Sequence, residues 1–165
     1  MGMQYSAPML GLAPYAASDR KPPQAKESPA TERSLPGRAT FGRRVLVVED
    51  NLDAVHSLAR LLKHDGHEVE FAINGYAALR IARLFRPDVV LLDLGLPGLD
   101  GFEVCRQIKA EPGLARARVI AVTAYAGDEH RVRARAAGCE MHIVKPYDPG
   151  FVLAVVNHAP DEPLV

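Results

Sequence analysis

The sequence predicts an α/β protein, a doubly wound parallel sheet of five strands with five helices. Two observations carry that expectation. From Arg44 onward, short aliphatic runs alternate with segments whose apolar residues recur at helical spacing. The run Val89-Val90-Leu91-Leu92 contains no polar residue, as in a strand covered on both faces. Strict alternation places helices on both sides of a parallel sheet, and right-handed crossovers leave few topologies.

The elements follow in order. VLVVED, beginning at Val45, is the first strand, a short apolar run that ends in acids. The helix after it puts Leu52, Val55, Leu58 or Ala59, and Leu62 on one face, and Gly66 can end it. HEVEFA is a short alternating strand. NGYAALRIARLF is helical, with Asn74 as N-cap and Pro87 just beyond it. DVVLLDL is the third strand. DGFEVCRQIKA offers Asp100 as N-cap with Glu103 three residues on, the spacing of a capping box. RVIAVTA is the fourth strand. DEHRVRARAAG is a helix with Asp128 as cap and Gly138 as stop, and MHIVK is the fifth strand. DPGFVLAVVNHA is the last helix, opened by Asp148 and Pro149.

Composition bounds the rest. Residues 1–44 hold seven basic and three acidic residues, so the remainder of this formally neutral chain is acidic. An acidic domain argues against direct nucleic-acid binding, which needs a basic face, and suits a site that collects a divalent cation. Residues 1–42 are rich in Pro, Ser and Ala and read as a disordered tail. A folded domain over 43–159 follows, then a short tail over 160–165. No apolar run approaches the ~18–20 residues of a membrane helix. Cys105 and Cys139 have no histidine at zinc spacing and read as buried apolar filler, which fits a reducing cytoplasm.

In such sheets ligands sit at the carboxyl ends of the strands, near the point where strand order reverses. Glu49 and Asp50 end the first strand, Asp93 the third, Thr123 the fourth, and Lys145 the fifth. Three carboxylates, a hydroxyl and an ammonium therefore converge on one rim. Lys145 and a metal ion can compensate Asp93, which would otherwise be costly at the end of an apolar strand. An oxygen-rich set favours Mg²⁺, which keeps several waters and takes one or two carboxylates. A carboxylate can be a nucleophile and form an aspartyl phosphate, and phosphoryl transfer asks mainly for positioning and charge neutralisation. Gly95 makes close approach of the backbone to the metal easy, and Pro97 stiffens the turn.

The acidic pair in VLVVEDN, the aspartate in VVLLDLGLPGLDG, the threonine in VIAVTA and the lysine in IVKPYD, in that order, resemble a response-regulator receiver domain of two-component signalling. The resemblance covers about Arg43 to His158. It implies a flavodoxin-like (βα)5 fold with strand order 2-1-3-4-5. It implies that Glu49, Asp50, Asp93 and the Gly95 carbonyl bind Mg²⁺. Asp93 would be the phosphoacceptor, with Thr123 and Lys145 binding the phosphoryl group. A cis Lys145–Pro146 bond fits the same resemblance. The donor would be a sensor histidine kinase or a histidine phosphotransfer protein, and the reader a downstream protein target. No turnover enzyme is implied, only self-phosphorylation and slow loss of phosphate.

Two positions depart from the common pattern. Leu96 stands where many receivers have methionine, a volume-conserving swap. His142 stands three before the lysine, where an aromatic residue often couples phosphorylation to the output surface. Tyr125, two after Thr123, can flank the entrance, so Gly95 and Tyr125 together would set water access to the phosphate. Arg131, Arg133 and Arg135 read as a solvated helix face. With no further domain after the fifth helix, the expectation is a stand-alone cytoplasmic switch, monomeric or weakly dimeric, with no membrane partner. A phosphate-independent interaction module is the alternative. A Mg²⁺-dependent phosphatase would want a second acid at position 95, and Gly95 cannot serve.

Overall fold

The structure, a computed structural model, describes residues 42–158. The tail expected over 1–42, except Gly42, and that expected over 160–165 lie outside the described residues. The strands are β1 (Arg44–Val48), β2 (Glu68–Ala72), β3 (Val89–Leu92), β4 (Arg118–Thr123) and β5 (Met141–Val144). The helices are α1 (Leu52–His64), α2 (Gly75–Phe85), α3 (Gly101–Ala110), α4 (Asp128–Ala137) and α5 (Pro149–Asn157). All strand pairs are parallel, in the order β2-β1-β3-β4-β5.

Alternation along each strand divides the core into two layers. Leu46, Val48, Val90, Leu92, Val119 and Ala121 face one side, where α2, α3 and α4 cover them. Val45, Val47, Val89, Leu91, Ile120 and Val122 face the other, under α1 and α5. Each valine, leucine or isoleucine among them contributes roughly 1.5–3 kcal/mol on full burial. That is why β3 and β4 carry aliphatic residues on both faces rather than alternating apolar with polar. Cys105 and Cys139 belong to the first layer as buried free thiols, their sulfurs 3.3 Å apart.

Local signals explain most boundaries. The side chains of Asn51, Asn74 and Asp148 each accept a backbone N–H in the first turn of α1, α2 and α5. Gly138 ends α4 at φ 102°, a left-handed conformation that favours glycine. Two expectations differ. Asp128 is not the cap of α4: Gly127 is, and Asp128 is the first helical residue, paired with Arg131 at 2.6 Å. Asp100 caps α3, but Glu103 turns along the helix to Arg106 and Gln107 instead of closing a capping box. Those partners sit three and four residues on, where helical side chains meet.

Arg118 anchors the end of the sheet opposite the carboxyl termini of the strands. Buried at the start of β4, it grips Glu140 through Nε and Nη2. Its Nη1 donates to the carbonyls of Val155 and His158, which ties down the C-terminus of α5. The Arg118 guanidinium, outweighing burial, holds the Glu140 carboxyl below its ordinary value. Arg118→Met is therefore expected to lower the urea-unfolding free energy by about 2 kcal/mol, with the slope unchanged. A carboxyl depressed in the folded state stabilises above its unfolded pKa and loses that contribution as pH falls through the folded pKa. The variant should accordingly show a shallower acid loss of stability than the parent.

Candidate functional site

The two central strands end in acid. Glu49 directly follows β1, and Asp93 directly follows β3, whose four residues are all buried. The parallel register pairs Val48 with Leu92 and brings the two carboxylates side by side. Chain order reverses between β1 and β3, so the crevice opens there. Glu49, Asp50 and Asp93 each place a carboxylate oxygen within 4.8 Å of the other two. This is the one such acid, His or Cys cluster among the described residues.

Lys145 reaches into the cluster from the far side of the sheet. Its ammonium donates to Asp93 Oδ2 at 2.6 Å and to Glu49 Oε2. Burial disfavours this ammonium, but its hydrogen bonds to Asp93 and Glu49 and their negative charge together outweigh it and hold the Lys145 pKa above the ordinary lysine value. The Lys145–Pro146 bond is cis. The other oxygen of Asp93, Oδ1, accepts the Gly95 N–H at 2.8 Å, so both carboxylate oxygens are held from opposite sides. Thr123 closes β4 and is fully buried. Its carbonyl accepts the Lys145 N–H at 2.9 Å, and its hydroxyl accepts the Tyr125 N–H at 3.4 Å rather than touching the carboxylates.

Each residue singled out in the sequence thus lies on the same rim. Glu49, Asp93 and Lys145 touch; Asp50 stands exposed beside them; Thr123 is linked through the backbone. Three hard oxygen donors at this spacing fit a Mg²⁺ ion that keeps part of its water shell. His142 is partly buried, and burial, then Arg131 and His130, lower its pKa from the usual histidine value.

Other residues had no sequence signal strong enough to single them out. Tyr147 borders a small cleft with Glu49, Asp93, Ala54 and Leu58. His130, likewise without a sequence signal, stacks on the ring of Tyr125 with centroids 4.5 Å apart. Gly101 is a further residue that sequence reasoning missed, its demand being steric. A Cβ at Gly101 would lie 2.5 Å from the Asp93 carbonyl and 2.6 Å from Leu94 Cα, whereas at Gly95 the nearest atom, Asp93 Oδ1, is 3.4 Å away. The helix α3 starts hard against the turn that follows β3, and its first residue has no room for a side chain.

The comparisons with known proteins agree with this geometry. Residues 45–157 match the family described as the response regulator receiver domain. This chain belongs to that family. It is 38% identical over 122 residues to the polar-differentiation response regulator DivK of Brucella anthropi, a match covering 72% of this chain and 98% of DivK. Among solved structures it is similar to the chemotaxis protein CheY4 of Vibrio cholerae, with 27% identity, a TM-score of 0.67, and coverage of 70% and 96% of the two chains. It is also similar to the receiver domain of the sensor histidine kinase PA1611 of Pseudomonas aeruginosa. That match has 31% identity, a TM-score of 0.65 and coverage of 70% and 94%, and the PA1611 structure is described with a magnesium ion coordinated in the active-site cleft.

The close approach at α3 makes a direct prediction for this receiver domain. Gly101→Ala should push α3 off the turn after Asp93 and lower stability by about 1–3 kcal/mol, the usual cost of overpacking. Gly95→Ala should melt within about 0.5 kcal/mol of the parent, as an unobstructed surface change does. Thermal and urea unfolding of the two variants side by side check both.

Proposed function

We propose that this receiver is a stand-alone switch that takes a phosphoryl group on Asp93 from a phosphohistidine of a sensor histidine kinase or histidine phosphotransfer protein. The modified form then changes which protein target it binds. The observation that carries the reading is the Lys145 ammonium shared between Asp93 and Glu49 at the carboxyl ends of β1 and β3. An ammonium at that point is already where charge on a transferring phosphoryl group would have to be met.

The residues divide the work. A carboxylate oxygen of Asp93 attacks phosphorus, the P–N bond of the donor breaks, and its electron pair returns to the imidazole. The Gly95 N–H fixes the rotation of the carboxylate. Lys145 exchanges a carboxylate partner for a phosphoryl oxygen, and the Thr123 hydroxyl donates to another. Glu49, Asp50, Asp93 and the Gly95 carbonyl are the groups that would hold Mg²⁺, which when bound supplies further neutralisation of the transferring oxygens. Drawing Thr123 toward the phosphate pulls on the segment that leads through Tyr125 into α4. A receiver with two arrangements of that segment presents different surfaces to a partner.

Incubation with acetyl phosphate and Mg²⁺, read by intact-protein mass, tests the proposal. One added phosphoryl group is expected, absent in Asp93→Asn and absent when the metal is chelated. An adduct of equal yield in Asp93→Asn would overturn the assignment. No adduct in the parent, together with no binding of beryllofluoride, would favour a phosphate-independent interaction module.

A further inference from the structure

The segment from Thr123 into α4 is thinly anchored. The helix α4 buries only Ala134 and Ala137, both in its second half. Its N-cap is Gly127, which contributes no side chain. What attaches the first turn is a column of rings. Tyr125 stacks on His130 with an interplanar angle of 11° and centroids 4.5 Å apart. His130 lies roughly parallel to Phe102, 6.4 Å away. Phe102 is buried in the first turn of α3, and Arg133 covers its ring at 4.3 Å while approaching Asp100 at 3.9 Å. The column joins the turn after β4 to the turn after β3.

Its outer end stands beside the phosphoacceptor. Tyr125 is 45% exposed, so burial alone does not hold its ring in place. The point where Gly95 would carry a Cβ lies 3.4 Å from Asp93 Oδ1, 3.6 Å from Tyr125 Cε2 and 3.7 Å from Tyr125 Oη. The ring edge and the carboxylate oxygen therefore flank the same small space. A half-exposed ring on a short loop would sample several rotamers; a parallel neighbour at stacking distance selects one.

We propose that His130 is a positioning residue, holding the Tyr125 ring across the open side of Asp93 and so lengthening the lifetime of the aspartyl phosphate. The proposal rests on the assignment of Asp93 as phosphoacceptor. Phosphate is lost when a water oxygen attacks phosphorus in line with the Asp93 oxygen. The P–O bond to the carboxylate breaks, its electron pair stays on Asp93, and both protons of the water leave with inorganic phosphate. A ring fixed beside Oδ1 narrows the approach for that water. His130 touches none of the reacting atoms; its flat face is what matters, and neither its charge nor its ring nitrogens are used.

Two readouts test this in the full chain. The first needs no phosphate. The Gly95 backbone protons lie beside the Tyr125 ring and carry its ring-current shift in NMR spectra. His130→Ala is expected to move those resonances toward their positions in Tyr125→Ala, and His130→Phe, which keeps a flat face, to leave them near the parent. Unchanged Gly95 shifts in His130→Ala would overturn the positional claim.

The second readout is the half-life of the adduct formed with acetyl phosphate and Mg²⁺. His130→Ala and Tyr125→Ala should each shorten it by about two- to tenfold, the scale set by freeing one ordered side chain. The double variant should match the shorter-lived single variant, and His130→Phe should restore the parent lifetime. Additive effects in the double variant, or a parent lifetime in His130→Ala despite altered Gly95 shifts, would overturn the kinetic claim. If the parent takes no phosphoryl group, the Asp93 assignment falls and takes the kinetic claim with it, while the Gly95 shifts still decide the positional one.

Discussion

The ammonium of Lys145, held between Asp93 and Glu49, is the interaction on which the arrangement of this receiver turns. A strand as apolar as β3 runs through the middle of the sheet and ends on a carboxylate that is largely shielded from water. A charge in that position is tolerated only when it is paired and hydrogen-bonded. Asp93 is both: one oxygen on Lys145, the other on the Gly95 amide. The pair in turn requires that β5 lie beside β4 and β4 beside β3, all parallel, since only then do the strand ends share a rim. The fold is thus the means by which an ammonium late in the chain meets carboxylates that lie far earlier in it.

The two faces of the sheet are not equally firm. Under α1 and α5 the layer is closed by branched aliphatic side chains and by the grip of Arg118 on the end of α5. On the other side, α2 and α3 are well seated, but α4 is charged along much of its length and buries only two alanines. Elements with few buried apolar contacts are the ones that open or shift at low cost. In this receiver that element begins a few residues after Thr123, so the least anchored helix is joined directly to a buried hydroxyl at the site. The ring column from Tyr125 to Phe102 lies across the same joint.

Much of the molecule was legible in the chain. Strand and helix alternation follows from the period of the apolar residues, and Asn74, Asp100, Asp148 and Gly138 act at helix ends as their chemistry suggests. Where the reading differed, a local choice was decided by competing neighbours. Glu103 had two donors within its own helix and took them. Asp128 found Arg131 one turn on and left the cap to Gly127. Gly101 was not singled out at all: α3 returns over the turn that precedes it and leaves its first residue no room for a side chain, a contact no local pattern reveals.

By itself, then, the sequence determined the fold class, the order of elements and the residues that end the strands, because periodicity and turn chemistry are local properties. The family follows from the same residues taken in order. Only the tertiary structure decided which of them touch. Lys145 bridges two carboxylates while Thr123 faces the Tyr125 amide; Arg118 reaches from β4 to the end of α5; His130 lies flat against Tyr125. Each of these joins residues from separate elements or sets a ring angle. Both depend on how sheet and helices pack, which one-dimensional spacing does not contain.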